Sequence, residues 1–287
     1  MEKIRRALTL AKTCWKVLML DKELLVFPLL SFLVLAFLSA AAFSPFFVFD
    51  NPAETLDVVF GELSNTEDWV LFGLAFSAYF VAYFVIIFFN SALVACVNIR
   101  LAGGNPTLVD GLRSSIARLP QILAWALVTS TVGFILSQIE SKSKGIPKFF
   151  LSLLGVAWAV ASYFVVPVLV TEKIGPFKAI KRSGTIIRKS WGEAIISVTG
   201  MSVLSGFAVF ASFGVAMLGI PFVETAPEIA LILFLSGIAL GVTSALVFST
   251  LGAILKAALY AYAVEGKVPT GFDDELITGA FSDKQRS

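Results

Sequence analysis

The chain has 287 residues, 57% apolar and 15% charged, with 27 phenylalanines, two cysteines, no histidine and a formal net charge of +2. A water-soluble domain of this length could not cover so much apolar surface, the small net charge hides a strongly dipolar distribution, and no nucleic-acid partner is expected. Without histidine there is no His-based zinc protease, no Ser-His-Asp triad and no haem held by His, and two cysteines allow at most one disulfide.

The chain opens on a basic segment, residues 4–15, IRRALTLAKTCW. Ile4, Leu8, Ala11, Trp15 and Leu18 share one helical face while Arg5, Lys12 and Lys16 point elsewhere, which predicts a helix lying in the headgroup plane. Its candidate lipid-contacting residues are Arg5, Arg6, Lys12 and Trp15. Cys14 here and Cys96 further on are expected as free thiols on the reducing side.

Six apolar stretches follow, over residues 24–49, 69–98, 121–139, 149–171, 194–218 and 229–252. Each approaches or exceeds the roughly 20 residues that a helix needs to cross about 30 Å of hydrocarbon. The first outruns the core of about 7–15 residues of a cleaved signal peptide, so it is expected to stay in the mature protein. Pro28 and Pro167 are expected to kink the first and fourth spans. The loop after the first span carries Asp50, Glu54, Asp57, Glu62, Glu67 and Asp68 without a Lys or Arg, and reads as a solvated acidic loop rather than a cation site.

Before the third span, residues 105–117, NPTLVDGLRSSIA, supply another basic segment, with Arg113 as its lipid-contact candidate. Asp110-Gly111 and Ala117-Arg118 stand too far apart, with no Asp pair downstream, for a phospholipid head-group transfer motif. Before the fifth span, residues 180–191, IKRSGTIIRKSW, repeat the opening segment at constant offset: Ile4 and Ile180, Arg6 and Arg182, Thr9 and Thr185, Trp15 and Trp191 coincide. Pro176 marks the helix start, and Phe177, Ile180, Ile187 and Trp191 are expected on its apolar face. Lys178, Lys181, Arg182, Lys189 and Trp191 are the candidates for lipid contact.

Residues 167–193, PVLVTEKIGPFKAIKRSGTIIRKSWGE, combine an acidic residue after a span, Gly-Pro, an Ala-apolar-basic-Arg-Ser run and Trp-Gly-Glu. This stretch resembles an uncharacterised family of six-span prokaryotic membrane proteins of unknown function. The layout is similar, more distantly, to the membrane domain attached to some glycerophosphodiester phosphodiesterases. The resemblance implies a six-span fold in a prokaryotic inner membrane; it does not imply phosphodiesterase activity, because in those enzymes the catalytic work resembles that of a separate soluble barrel domain.

On the last span Gly237, Gly241, Ala245 and Ser249 recur every four positions, and Gly200, Ala208, Ser212 and Ala216 partly do so on the fifth. Such stripes let helix backbones approach in lipid, within the last hairpin or between copies of the chain. Asn90, Asn98, Gln121 and Gln138 are expected to make interhelical hydrogen bonds, and Lys256 to snorkel toward the headgroups. Residues 265–276, EGKVPTGFDDEL, with a proline shortly after a glycine, look like a truncated fourth elbow with no span after it.

All Lys and Arg except Lys142, Lys144 and Lys148 lie on one side if alternate loops are taken together, which predicts cytoplasmic N- and C-termini. The expected fold is an all-α polytopic bundle of six transmembrane helices. They form three hairpins, each preceded by a cytoplasmic amphipathic elbow helix, with pseudo-repeats at about 1–98, 105–171 and 175–264. One membrane domain covers 1–268 and a cytoplasmic tail 269–287. The expected function is non-enzymatic: interaction with anionic membrane lipid through the basic elbows, organising the membrane or handling lipid, with no cofactor or metal. The alternative is a homo-oligomeric channel or transporter for a small solute.

Overall fold

The computed structural model describes residues 2–44, 67–142, 148–190, 193–266 and 268–272. All regular structure among them is helical, and six helices are long and apolar enough to cross a membrane. The protein therefore has the character of a multi-pass membrane bundle.

Helix α1 (Glu2–Leu20) buries Leu10, Cys14, Val17 and Leu18, a set spaced for one helical face. That face is rotated from the one expected: Leu8 is 45% exposed and Trp15 44%. Although α1 precedes the first span, it rests on the last two long helices, α9 (Glu193–Met217) and α10 (Pro227–Glu265). A short 3-10 turn, Lys22–Leu25, leads into α2 (Val26–Phe43). Pro28 falls in the first turn of α2, where its missing N–H has no helical partner to lose. It starts the helix and does not kink it.

Helix α3 (Asp68–Leu101) runs for 34 residues, about 50 Å, and so outreaches the hydrocarbon layer. It stops at Gly103, whose φ of 86 allows the Gly104 N–H to reach the Ile99 carbonyl at 2.9 Å. Helix α4 (Leu108–Ala117) then folds back onto α3. Thr107 and Asp110 cap it reciprocally: the Asp110 N–H donates to Thr107 Oγ1 at 3.3 Å, and the Thr107 N–H to Asp110 Oδ2 at 3.0 Å. Gly111 permits the close approach, because a Cβ there would meet Phe27 Cζ at 2.6 Å, Cys96 Sγ at 2.7 Å and the Ala92 carbonyl oxygen at 2.8 Å. Ser115 is buried and donates to the Phe88 carbonyl at 3.1 Å.

Helix α5 (Leu119–Lys142) packs along α3, with Phe134 edge-on to Phe72, Phe76 and Tyr79. The fourth span is two helices, α6 (Lys148–Ala161) and α7 (Val165–Glu172). Pro167 lies in the first turn of α7, and its ring excludes the carbonyl four residues back, at Tyr163. The expected kink is thus a break at residues 162–164. The Phe164 N–H left free of the helix ladder donates to Ser183 Oγ at 3.1 Å.

Helix α8 (Pro176–Ser190) carries Ser183 and packs on α6 and α7 with Ala179, Ile186 and Ile187 buried. Phe177, expected on the apolar face, is 75% exposed. Along α9 and α10 the small residues interlock: a Cβ on Gly237 would meet Ala216 N at 2.7 Å, and one on Gly241 would meet Ser212 Cβ at 3.6 Å. Val268 to Phe272 follow α10, and the Thr270 N–H donates to the Leu101 carbonyl at 3.1 Å, so this segment lies against the end of α3.

Buried residues gather where α3, α7 and α10 end, on α1, α3, α7, α8 and the final third of α10. Toward the other end the helices expose large apolar side chains such as Phe37, Trp69, Phe149 and Phe210. Lipid is the solvent that covers such a surface without cost.

Candidate membrane-facing site

Among the described residues, two ion pairs hold the packed end of the bundle together. Asp21, between α1 and α2, takes both Nε and Nη2 of Arg100 near the end of α3, and Arg100 Nη2 also donates to Asn105 Oδ1 at 2.6 Å. This links the first span, the second and the loop into α4. Glu172, closing α7, takes Arg182 Nε of α8 at 2.8 Å and the Tyr260 hydroxyl of α10 at 2.9 Å, both on Oε1. The hydrogen bond to Glu172 raises the pKa of Arg182 above its ordinary value. Asn98 Nδ2 donates to Thr171 Oγ1 at 3.4 Å, an interhelical bond of the kind expected. Gln121 Oε1 is buried with no hydrogen-bond partner among the described residues.

Around these contacts the basic residues divide by role. Lys12 and Lys16 on α1, Arg113 on α4, and Lys178, Lys181 and Arg188 on α8 are exposed, whereas Arg182 is engaged by Glu172. Trp15, Leu8 and Met19 are exposed beside Lys12 and Lys16, so the outward side of α1 mixes cations with an aromatic and aliphatic residues. Arg5, Arg6 and Lys189 lie on α1 and α8 with side chains outside the described residues, and Trp191 is outside them altogether. Asp110, seen in the sequence beside Gly111, is a helix cap; its hydrogen bond from the Thr107 hydroxyl, and then that from the Thr107 N–H, hold its carboxyl below the usual range. The two cysteines are free and buried, and burial pushes the Cys14 thiol up to about 12.

The small-residue stripe of α10 serves two surroundings. Gly237 and Gly241 pack on α9, while Ala245 and Ser249 border a cavity between α2, α3, α9 and α10. Lys256 lines that cavity instead of snorkelling away, its Nζ 4.8 Å from the Tyr163 ring centre in the break between α6 and α7. Sequence reasoning missed Asp21, Tyr163 and Tyr260. The acidic residue and the Pro of 167–172 were visible signals for the Glu172 contact and the helix break, but their partners are remote in the chain.

Residues 70–272 match a family described as a family of unknown function (DUF6159), and the chain belongs to that family. No curated protein matches the chain. The family match carries no relation to the glycerophosphodiester phosphodiesterases.

Proposed function

We propose that this family member is a non-enzymatic integral membrane protein that interacts with anionic lipid through its basic amphipathic helices, and so organises the membrane or handles lipid. In this reading α1, α4 and α8 are elbows on the cytoplasmic surface, each preceding a transmembrane hairpin, in a prokaryotic inner membrane with both termini inside. The layout of the phosphodiesterase-linked membrane domain enters it as architecture alone, without that chemistry. One observation carries the reading: α1 buries Leu10, Cys14, Val17 and Leu18 in protein and α8 buries Ala179, Ile186 and Ile187, while Lys12, Lys16, Lys178, Lys181 and Arg188 remain on the outward sides. A helix held by its own core has no need of cations for folding, and cations at an anionic leaflet contribute about 1 kcal/mol each.

The test is vesicle flotation of the full chain reconstituted with phosphatidylglycerol or with phosphatidylcholine, followed by native mass spectrometry of retained lipid. Lys12→Glu/Lys178→Glu/Lys181→Glu lowers the number of phosphatidylglycerol molecules retained per chain if the reading holds. An unchanged number in that variant overturns it. The second reading, an oligomeric channel or transporter, draws on the broken fourth span beside a cavity, since irregular backbone at membrane depth is tolerated where it lines such a space. Solute flux through the reconstituted protein, unaffected by the triple variant, would favour it.

A further inference from the structure

We propose that the cavity between α2, α3, α9 and α10 is a binding site for a membrane-borne amphiphile with a single anionic head, and that Lys256 is the headgroup partner. This site is separate from the basic outer faces and does not depend on them. The cavity, of about 700 Å³, is of the size of small-molecule sites, which span about 300–1,000 Å³.

Its lining is graded along the helices. Lys256 and Ala245 are eleven residues apart on α10, about 17 Å along the axis. At the Lys256 end Tyr163 and Ser202 stand among the apolar Leu93, Met201 and Leu255; Asn90, Ser205 and Ser249 occupy the middle; only apolar residues such as Leu35, Ile86 and Val209 line the far end. A head-to-tail molecule meets the same gradient of charge, hydrogen bonding and hydrocarbon. Phe32 on α2 and Val209 on α9 border the cavity and are each 44% exposed, so its mouth opens on the side of the bundle, where the ligand arrives from the bilayer.

The charge points to an anion. Lys256 stands one helical turn before Tyr260, and therefore deeper than the Glu172 contact that closes the packed end. Neither ion pair among the described residues includes it, and its Nζ lies over the face of Tyr163. A cation at that depth without a carboxylate marks a functional position in membrane proteins. Two kinds of lipid carry the required chemistry: a fatty acid with a carboxylate and a phospholipid whose phosphodiester has no compensating cation in its head.

The experiment uses the full chain in mild detergent, exchanged separately against oleate, phosphatidylglycerol and phosphatidylcholine, with bound lipid counted by native mass spectrometry. Wild type is expected to retain one anionic molecule in preference to phosphatidylcholine, and the retained species identifies the source. Lys256→Gln should weaken retention roughly 30-fold or more, as loss of one member of a desolvated charge pair does, and Lys256→Arg should largely restore it. Gly252→Leu provides an independent variant: a Cβ there meets nothing within 4 Å, so its side chain fills the cavity and displaces the ligand with Lys256 intact. Thermal unfolding in the same detergent verifies that each variant folds. Retention in Gly252→Leu equal to wild type, or equal retention of phosphatidylcholine by wild type, overturns the proposal. The Lys12→Glu/Lys178→Glu/Lys181→Glu variant keeps the cavity ligand, so failure of the basic-face reading leaves a distinct signature.

Discussion

The hydroxyl of Tyr260 donates to Oε1 of Glu172 across 2.9 Å, although the two residues are 88 positions apart in the chain. That bond fastens the last long helix to the end of the broken fourth span, and Arg182 completes it from α8. Tyr260→Phe keeps the ring and removes the donor, at an expected cost of about 1 kcal/mol. Glu172→Gln weakens the contact with Arg182 as well, though Arg182 is partly exposed and solvent reduces what that pair contributes. A double-mutant cycle read by thermal unfolding in detergent should show coupling between positions 172 and 260; strict additivity would mean the bond contributes nothing.

Gly111 and Gly206 predict opposite responses to the same change. Gly111→Ala puts a methyl against Phe27, Cys96 and the Ala92 carbonyl, and is expected to destabilise by about 1–3 kcal/mol. Gly237→Ala should behave alike, because its nearest neighbours include the Ala216 backbone, which cannot swing aside. Gly206→Ala meets nothing within 4 Å and should be neutral or stabilising, since alanine is the better helix former. Melting temperatures of the three variants in one detergent decide the matter.

The cap at Thr107 ties stability to acid pH. Asp110 has a folded pKa below its ordinary 3.8, owing to the hydrogen bonds from Thr107. The unfolded state therefore binds the proton first as pH falls. The contribution is fully present above 3.8 and disappears as pH drops through the folded value. Thr107→Ala should lower stability at neutral pH and flatten that part of the acid dependence, measured as unfolding midpoints from neutral pH downward.

Cys14 should be inert in the folded protein. Burial raises its thiol to about 12, so little thiolate exists at neutral pH and the sulfur is shielded. N-ethylmaleimide at neutral pH is expected to leave it unmodified until denaturant opens the fold. Rapid native labelling would show that α1 detaches from α9 and α10.

Much of the helical layout was legible because it depends on short-range properties. The apolar runs, the 3.6-residue pattern of α1 and α8, and the prolines at 167 and 176 all act within a turn or a span. Orientation on the helix was less legible: Trp15 was expected with Leu18, yet one is exposed and the other buried. Position on a helical wheel alone does not say which side meets protein. Pro167 likewise signalled a disturbance, but its conversion into a break depends on Ser183, which accepts the stranded N–H from another helix.

By itself the sequence determined that six helices are long and apolar enough to cross a membrane and that basic amphipathic helices accompany them, because hydrophobic length and period are local quantities. Only the tertiary structure decided which apolar residues face protein, where Lys256 sits, and that Asp21 with Arg100 and Glu172 with Tyr260 close the packed end. In a membrane both lipid and protein interior are apolar, so composition cannot separate the two surroundings. The contacts that do so join residues far apart in the chain, and they exist only once the helices have packed.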